Sequence, residues 1–124
     1  MSLRVLVVDD SPAMRALIKK ILSSSGLPIE LIVDASDGVE GLCQLRENPV
    51  NLILSDINMP NMDGEEFIRQ VRSDKNYREV PVLMITTDNS TARVLRLRQL
   101  GAQGYICKPF TPEMIKEKVL SVMA

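Results

Sequence analysis

"RVLVVDDSPAMRALIKKIL", residues 4–22, sets the grammar of the whole chain. Residues 4–8 form a short, nearly unbroken apolar run, the pattern of a strand buried on both faces. Asp9 and Asp10 end it. Ser11-Pro12 then offers a capping hydroxyl and a proline at the first helical position, where a missing N–H costs nothing. Met14, Leu17, Ile18, Ile21 and Leu22 follow at i, i+3, i+4, i+7 and i+8, one face of a helix. Gly26 and Pro28 stop it.

The same unit recurs. Apolar runs stand at 30–33, 51–55, 80–86 and 104–107. Asp37-Gly38 opens the second helix and Asn48-Pro49 closes it. Asp63, with Glu66 three residues on, reads as a capping box opening the third. Asn89-Ser90 opens the fourth and Gly101 ends it; Thr111-Pro112 opens the fifth. Strands alternating with helices require a parallel sheet, because each crossover must pass over a face. The expected architecture is α/β: (βα)5, doubly wound, one domain over residues 1–124. The runs at 4–8, 51–55 and 80–86 are the most apolar and should be central. Asp34 ends the second run, which should lie at an edge.

The 124 residues carry a net charge of −1, which argues against a whole-domain nucleic-acid or anionic-membrane footprint. No run approaches membrane-spanning length and no signal-peptide pattern leads the chain, so a cytoplasmic protein without membrane insertion is expected. Cys43 and Cys107 belong to no CxxC and are expected to be small buried hydrophobes in a reducing compartment. There is no histidine. That removes Ser-His-Asp and Cys-His catalysis, imidazole metal sites and internal phosphohistidine, leaving Asp, Glu, Lys, Ser, Thr and Tyr to carry any chemistry.

Ligands of an open parallel sheet bind beyond the carboxyl ends of its strands. There the first strand delivers Asp9 and Asp10, the third Asp56, the fourth Thr86 and Thr87, and the fifth Lys108. Singly, each has an ordinary reading as a cap, a turn residue, a β-former or a solvated charge. Together, three carboxylates repel one another and raise each other's pKa. A hard divalent cation relieves this; Mg²⁺ takes one or two carboxylates plus other oxygens, and with Lys108 the charges balance. A carboxylate so held, beside a lysine and a hydroxyl, can attack phosphorus and form an aspartyl phosphate.

"VVDDS", "SDINMPNMDG", "MITT" and "GYICKPF", in that order and spacing, resemble the receiver domain of bacterial response regulators over essentially the whole chain. The resemblance implies strand order 2-1-3-4-5 in a flavodoxin-like three-layer sandwich. It implies that Asp56 accepts a phosphoryl group from a histidine kinase. Asp10, Asp56 and the backbone carbonyl of Asn58 would bind Mg²⁺ directly, and Asp9 through a water. Lys108 would contact the phosphoryl group, Thr86 would be the switch hydroxyl, and Tyr105 the aromatic that follows it. The Lys108–Pro109 bond should be cis. Asn58 and Asp88 would tune the lifetime of the phosphate. Thr87 stands where the family has a smaller residue, often Ala, which bears on the reaction rate.

Such a protein is a signalling switch, an enzyme only toward its own phosphorylation and autodephosphorylation. The resemblance favours a single-domain regulator of chemotaxis. A receiver cut from a larger regulator, or a flavin-binding electron carrier of the same fold, are alternatives. A flavin phosphate loop would be rich in glycine and hydroxyls where this chain has Asp9-Asp10-Ser11-Pro12.

In the fourth helix Val94, Leu95, Leu97 and Leu100 spread around the axis among Arg93, Arg96 and Arg98. Exposed apolar groups beside arginine are typical of interfaces. A solvated basic face with long-chain packing accounts for the same pattern. The resemblance implies that the fourth helix, fifth strand and fifth helix meet a downstream target, with Arg93, Val94, Arg96 and Tyr105 as candidate contacts.

Overall fold

Five parallel strands pair in the order 2-1-3-4-5 in a computed structural model that describes residues 2–124. They are β1 (Leu3–Val8), β2 (Ile29–Ala35), β3 (Leu52–Asp56), β4 (Val82–Thr86) and β5 (Gly104–Cys107). Between and after them run α1 (Pro12–Ser24), α2 (Gly38–Glu47), α3 (Gly64–Ser73), α4 (Thr91–Leu100) and α5 (Pro112–Met123). Along a strand, side chains alternate faces. Leu3, Val5 and Val7 of β1 therefore join Ile18, Leu22, Ile115 and Val119 of α1 and α5. Leu6 and Val8 join Leu45, Phe67, Ile68, Val71 and Leu97 of α2, α3 and α4. β3 and β4 are buried along their whole lengths, as their sequences require. No helix among the described residues is long and apolar enough to cross a membrane.

Every helix has the expected cap. Ser11, Asp37, Asp63, Ser90 and Thr111 each accept the amide of the residue three positions on. The capping box expected at Asp63 is only half formed: Glu66 reaches forward to Gln70 (2.9 Å) instead of back. Gly101 ends α4 in the left-handed region, φ 108°, which glycine enters without a Cβ penalty.

Three expectations are corrected. β2 runs on to Ala35, so Asp34 lies within the strand, its carboxylate held by Arg15 (3.0 Å) and Lys19 (3.4 Å). Cys43 is exposed, because α2 buries Gly38, Gly41 and Leu45 and Cys43 falls on the opposite side. Cys107 is half-buried, because β5 is an edge strand that buries only Gly104 and Ile106. Both thiols are free.

Arg72 stitches the far side of the sheet together. Its guanidinium donates to the carbonyls of Gly101 (2.8 and 3.0 Å), Val80 (2.8 Å) and Arg78 (3.1 Å), and to Gln103 Oε1 (2.8 Å). Gln103 Oε1 also accepts the Val82 amide (2.7 Å), so one fork ties α3 to the entries of β4 and β5. Each polar group stranded by its loss costs about 1–3 kcal/mol. Arg72→Ala is expected to destabilise the fold by about 3 kcal/mol in urea denaturation. Lysine should restore little, having no planar fork.

Asp37 is 8 % exposed and doubly used. Oδ1 accepts the Glu40 amide (2.8 Å) and Oδ2 accepts Asn61 Nδ2 (2.7 Å). The Glu40 amide, and after it Asn61, hold its carboxyl below the usual carboxylate range. A depressed folded pKa stabilises above the unfolded value and is lost as pH falls through the folded one. Asp37→Ala should therefore cost about 1–2 kcal/mol at pH 7. The gap to wild type should narrow below about pH 4. Urea melts at neutral and acid pH check both; a gap that widens in acid would refute the assignment.

Candidate phosphoryl-acceptor site

The register of the sheet brings the site together. Val8 pairs with Ser55, Asp56 with Ile85 and Thr86 with Cys107, so the polar residues that end these strands emerge along one edge. Lys108 Nζ lies 3.6 Å from Asp9 Oδ2 and 3.7 Å from Asp56 Oδ1. Asp9, Asp10 and Asp56 each offer an oxygen within 4.8 Å of the others. Asp9 is 1 % exposed, Asp56 9 %, and Asp10 opens to solvent.

Second contacts fix these groups. Asp9 Oδ1 accepts the Ser11 amide (2.8 Å). Arg15 Nη1 donates to the Asp9 carbonyl (2.6 Å) while its Nε holds Asp34. Asp56 Oδ1 accepts the Ile57 amide (2.8 Å). The Lys108 amide donates to the Thr86 carbonyl (2.7 Å), and the Lys108–Pro109 bond is cis, as the resemblance implied. Burial pushes the Asp56 carboxyl above the usual range. Asp9 and Asp10 add to that push, against the Ile57 amide and Lys108. Asp9 Oδ2 is buried without a hydrogen-bond partner. A buried carboxylate oxygen left without a donor carries a desolvation cost. Orphaned oxygen, crowded carboxylates and an all-oxygen donor set fit a hard divalent cation such as Mg²⁺.

Gly64 closes the loop that follows Asp56. Its amide donates to the Ile57 carbonyl (2.7 Å), and a Cβ there would press into the Asp56 carbonyl oxygen. Asn58 is exposed. Asn61 has φ 66° and bonds Asp37, a partner 24 residues away that no local motif announces.

The structure brings Asp9, Asp10, Asp56 and Lys108 together but leaves Thr86 turned aside. Its buried hydroxyl accepts the Asp88 amide (2.9 Å). Thr87 is exposed. The Asp88 carboxylate is exposed and held below the usual range by the Ser90 amide (3.0 Å) and then by Arg93 (3.6 Å).

Two of the three α4 arginines are ion-paired, and Arg98 is exposed. Arg93 meets Glu65 at 2.6 Å and Arg96 meets it at 3.2 Å. Val94 is half-buried, Leu97 is buried, and Leu95, at 55 % exposure, is the large apolar side chain that α4 offers to solvent. Tyr105 is half-buried with Lys118 Nζ 5.5 Å from its ring centre. Both line a pocket of about 200 Å³ with Cys107 and Met114.

A family model described as the response regulator receiver domain matches residues 5–120. The chemotaxis protein CheY1 of Helicobacter pylori is 41 % identical over 122 residues, covering 98 % of this chain and 97 % of that one. A chemotaxis protein CheY homolog of Campylobacter jejuni is 39 % identical over 122 residues, covering 98 % and 92 %. The solved chemotaxis response regulator CheY4 of Vibrio cholerae is similar at a TM-score of 0.88 and 35 % identity, covering 98 % and 99 %.

Proposed function

The chain belongs to the response regulator receiver family, and from that premise we propose that Asp56 accepts a phosphoryl group from a histidine kinase. The arrangement that carries the reading is Lys108 Nζ set between Asp56 and an Asp9 oxygen that has no hydrogen-bond partner. A carboxylate oxygen of Asp56 forms the new O–P bond as the P–N bond to the donor imidazole breaks, and the departing imidazole takes its proton from water. Lys108 follows the charge onto the phosphoryl oxygens. Asp10, Asp56 and the Asn58 carbonyl would hold Mg²⁺, with Asp9 beyond them; the ion would neutralise the carboxylates and the transferring group. Thr86 is the switch: its hydroxyl leaves the Asp88 amide for the phosphoryl group, and Tyr105 follows.

Water reverses the modification, with Asn58 and Asp88 setting the lifetime. Thr87, which is exposed beside the site, narrows access. The signal passes through α4, β5 and α5 to a downstream partner, in chemotaxis signalling as the relatives' names indicate. Leu95, Val94 and Tyr105 are the apolar contacts, rimmed by Arg93 and Arg96. Leu95→Asp is expected to weaken phosphorylation-dependent binding of that partner about tenfold while leaving phosphate uptake intact.

Incubation with acetyl phosphate tests the central step. One phosphoryl group should be incorporated only with Mg²⁺ present, and peptide mapping should find it on Asp56. Labelling at another residue, or without a divalent cation, would overturn the assignment.

A further inference from the structure

We propose that Asp37 and Asn61 are positioning residues for this site, holding from outside the loop whose backbone would serve the metal. The inference rests on the function proposed above. The loop leaves β3 at Asp56 and enters α3 at Gly64. Its ends are fixed by the Ile57 amide on Asp56 (2.8 Å) and the Gly64 amide on the Ile57 carbonyl (2.7 Å). Between them, residues 58–62 make one internal bond, from the Met62 amide to the Pro60 carbonyl (2.7 Å).

Met59 and Met62 pack against the core, and the polar support comes from the start of α2. Asn61 Nδ2 donates to Asp37 Oδ2 (2.7 Å), and the Gly38 amide donates to the Met62 carbonyl (3.2 Å). The Met62 side chain lies so close over Gly38 that a Cβ there would meet it at 2.7 to 2.9 Å. Asp37 is a firm anchor, since its other oxygen caps α2 and it is 8 % exposed.

Asn61 reveals what the contact is for. Its φ of 66° lies in the left-handed region, where glycine would sit with less strain. The side chain is needed instead for its bond to Asp37. Asn58 is exposed, so its backbone takes its position from its neighbours. Mg²⁺ demands near-ideal octahedral geometry, so a loop that drifts costs affinity directly.

Asn61→Gly removes the contact while suiting the backbone. It should lower the melting temperature by only a few degrees, through the lost bond to Asp37 and a freer unfolded chain, since glycine suits this φ. Calorimetry should show Mg²⁺ binding about tenfold weaker, the low end of what loss of an outer contact costs a metal site. The amides of Asn58, Met59 and Met62 should exchange faster in the metal-free protein. Phosphate uptake from acetyl phosphate should fall at low Mg²⁺ and recover at saturation. Asp37→Ser keeps a capping hydroxyl but is too short to reach Asn61. It should show the same loss, and the double variant should be no weaker.

Wild-type affinity and exchange in Asn61→Gly would overturn the inference, as would lost stability with unchanged affinity. Failure of the parent reading looks different: the wild-type protein would itself bind no Mg²⁺ and take up no phosphate, which overturns both.

Discussion

Asp56→Asn is expected to take up no phosphate from acetyl phosphate and to melt about 4 °C higher than wild type in metal-free buffer. The first effect follows because a carboxamide has no anionic oxygen to attack phosphorus. The second follows from the company Asp56 keeps. Its carboxylate is nearly buried, close to Asp9 and Asp10, with Lys108 shared between it and Asp9. Its carboxyl sits above the usual range, chiefly through burial. A raised folded pKa means the unfolded chain binds fewer protons near that pKa, so stability falls as pH rises through the carboxylate range. Asparagine keeps the volume and can still accept the Ile57 amide, and it removes the charge. The gain should therefore shrink in acid. Mg²⁺ should raise the melting temperature of wild type by mass action and act much less on the variant. Phosphate on the variant, or a lower melting temperature at neutral pH, would contradict this account of the site.

Gly64→Ala is expected to cost at least about 3 kcal/mol, the upper range for overpacking, because the obstacle is backbone. The added methyl would press on the Asp56 carbonyl oxygen and come within 2.8 Å of Ile57 Cα and Met84 Cε. Relief would have to move the end of β3, and with it the Asp56 carboxylate, so the folded fraction should also take up phosphate slowly. Gly26 makes the control. It has φ 81° but only Lys116 Nζ, at 3.9 Å, near its added Cβ. Its alanine variant should lose only the left-handed cost, about 1–2 kcal/mol. Urea denaturation of the pair separates crowding from conformation; equal losses would deny Gly64 its special place.

The sheet and the acidic cluster were legible because each rests on local pattern. Asp9, Asp10 and Asp56 follow apolar runs, and parallel pairing then puts strand ends together whatever the details. Caps such as Ser11 and Thr111 act over three residues and were equally visible. What stayed hidden depends on partners distant in sequence. Arg72 reads as a surface arginine until Gly101 and Val80 arrive beside it. Arg93 reads equally as an interface contact or a solvated arginine until Glu65, 28 residues away, meets it. The turn of the Thr86 hydroxyl toward Asp88 is a rotamer choice that composition does not record. Cys43 was a different miss: the spacing of Gly41 and Leu45 already put it on the outer side of its helix.

The Glu65 carboxylate that gathers Arg93 and Arg96 sits one residue beyond Gly64. α4 otherwise commits one fully buried side chain, Leu97, to the interior. Val94 and Leu100 are half-buried beside it, so its mooring is part apolar and part ionic, whereas the strands that carry Asp56 are moored by apolar packing alone. Dissolved salt weakens the ionic kind of attachment, with a screening length of about 8 Å at physiological ionic strength, and leaves the apolar kind almost untouched. The attachment of α4 accordingly depends more on salt than that of the strands does. Ionic strength can change how readily the tethered helix shifts without retuning the chemistry beside it.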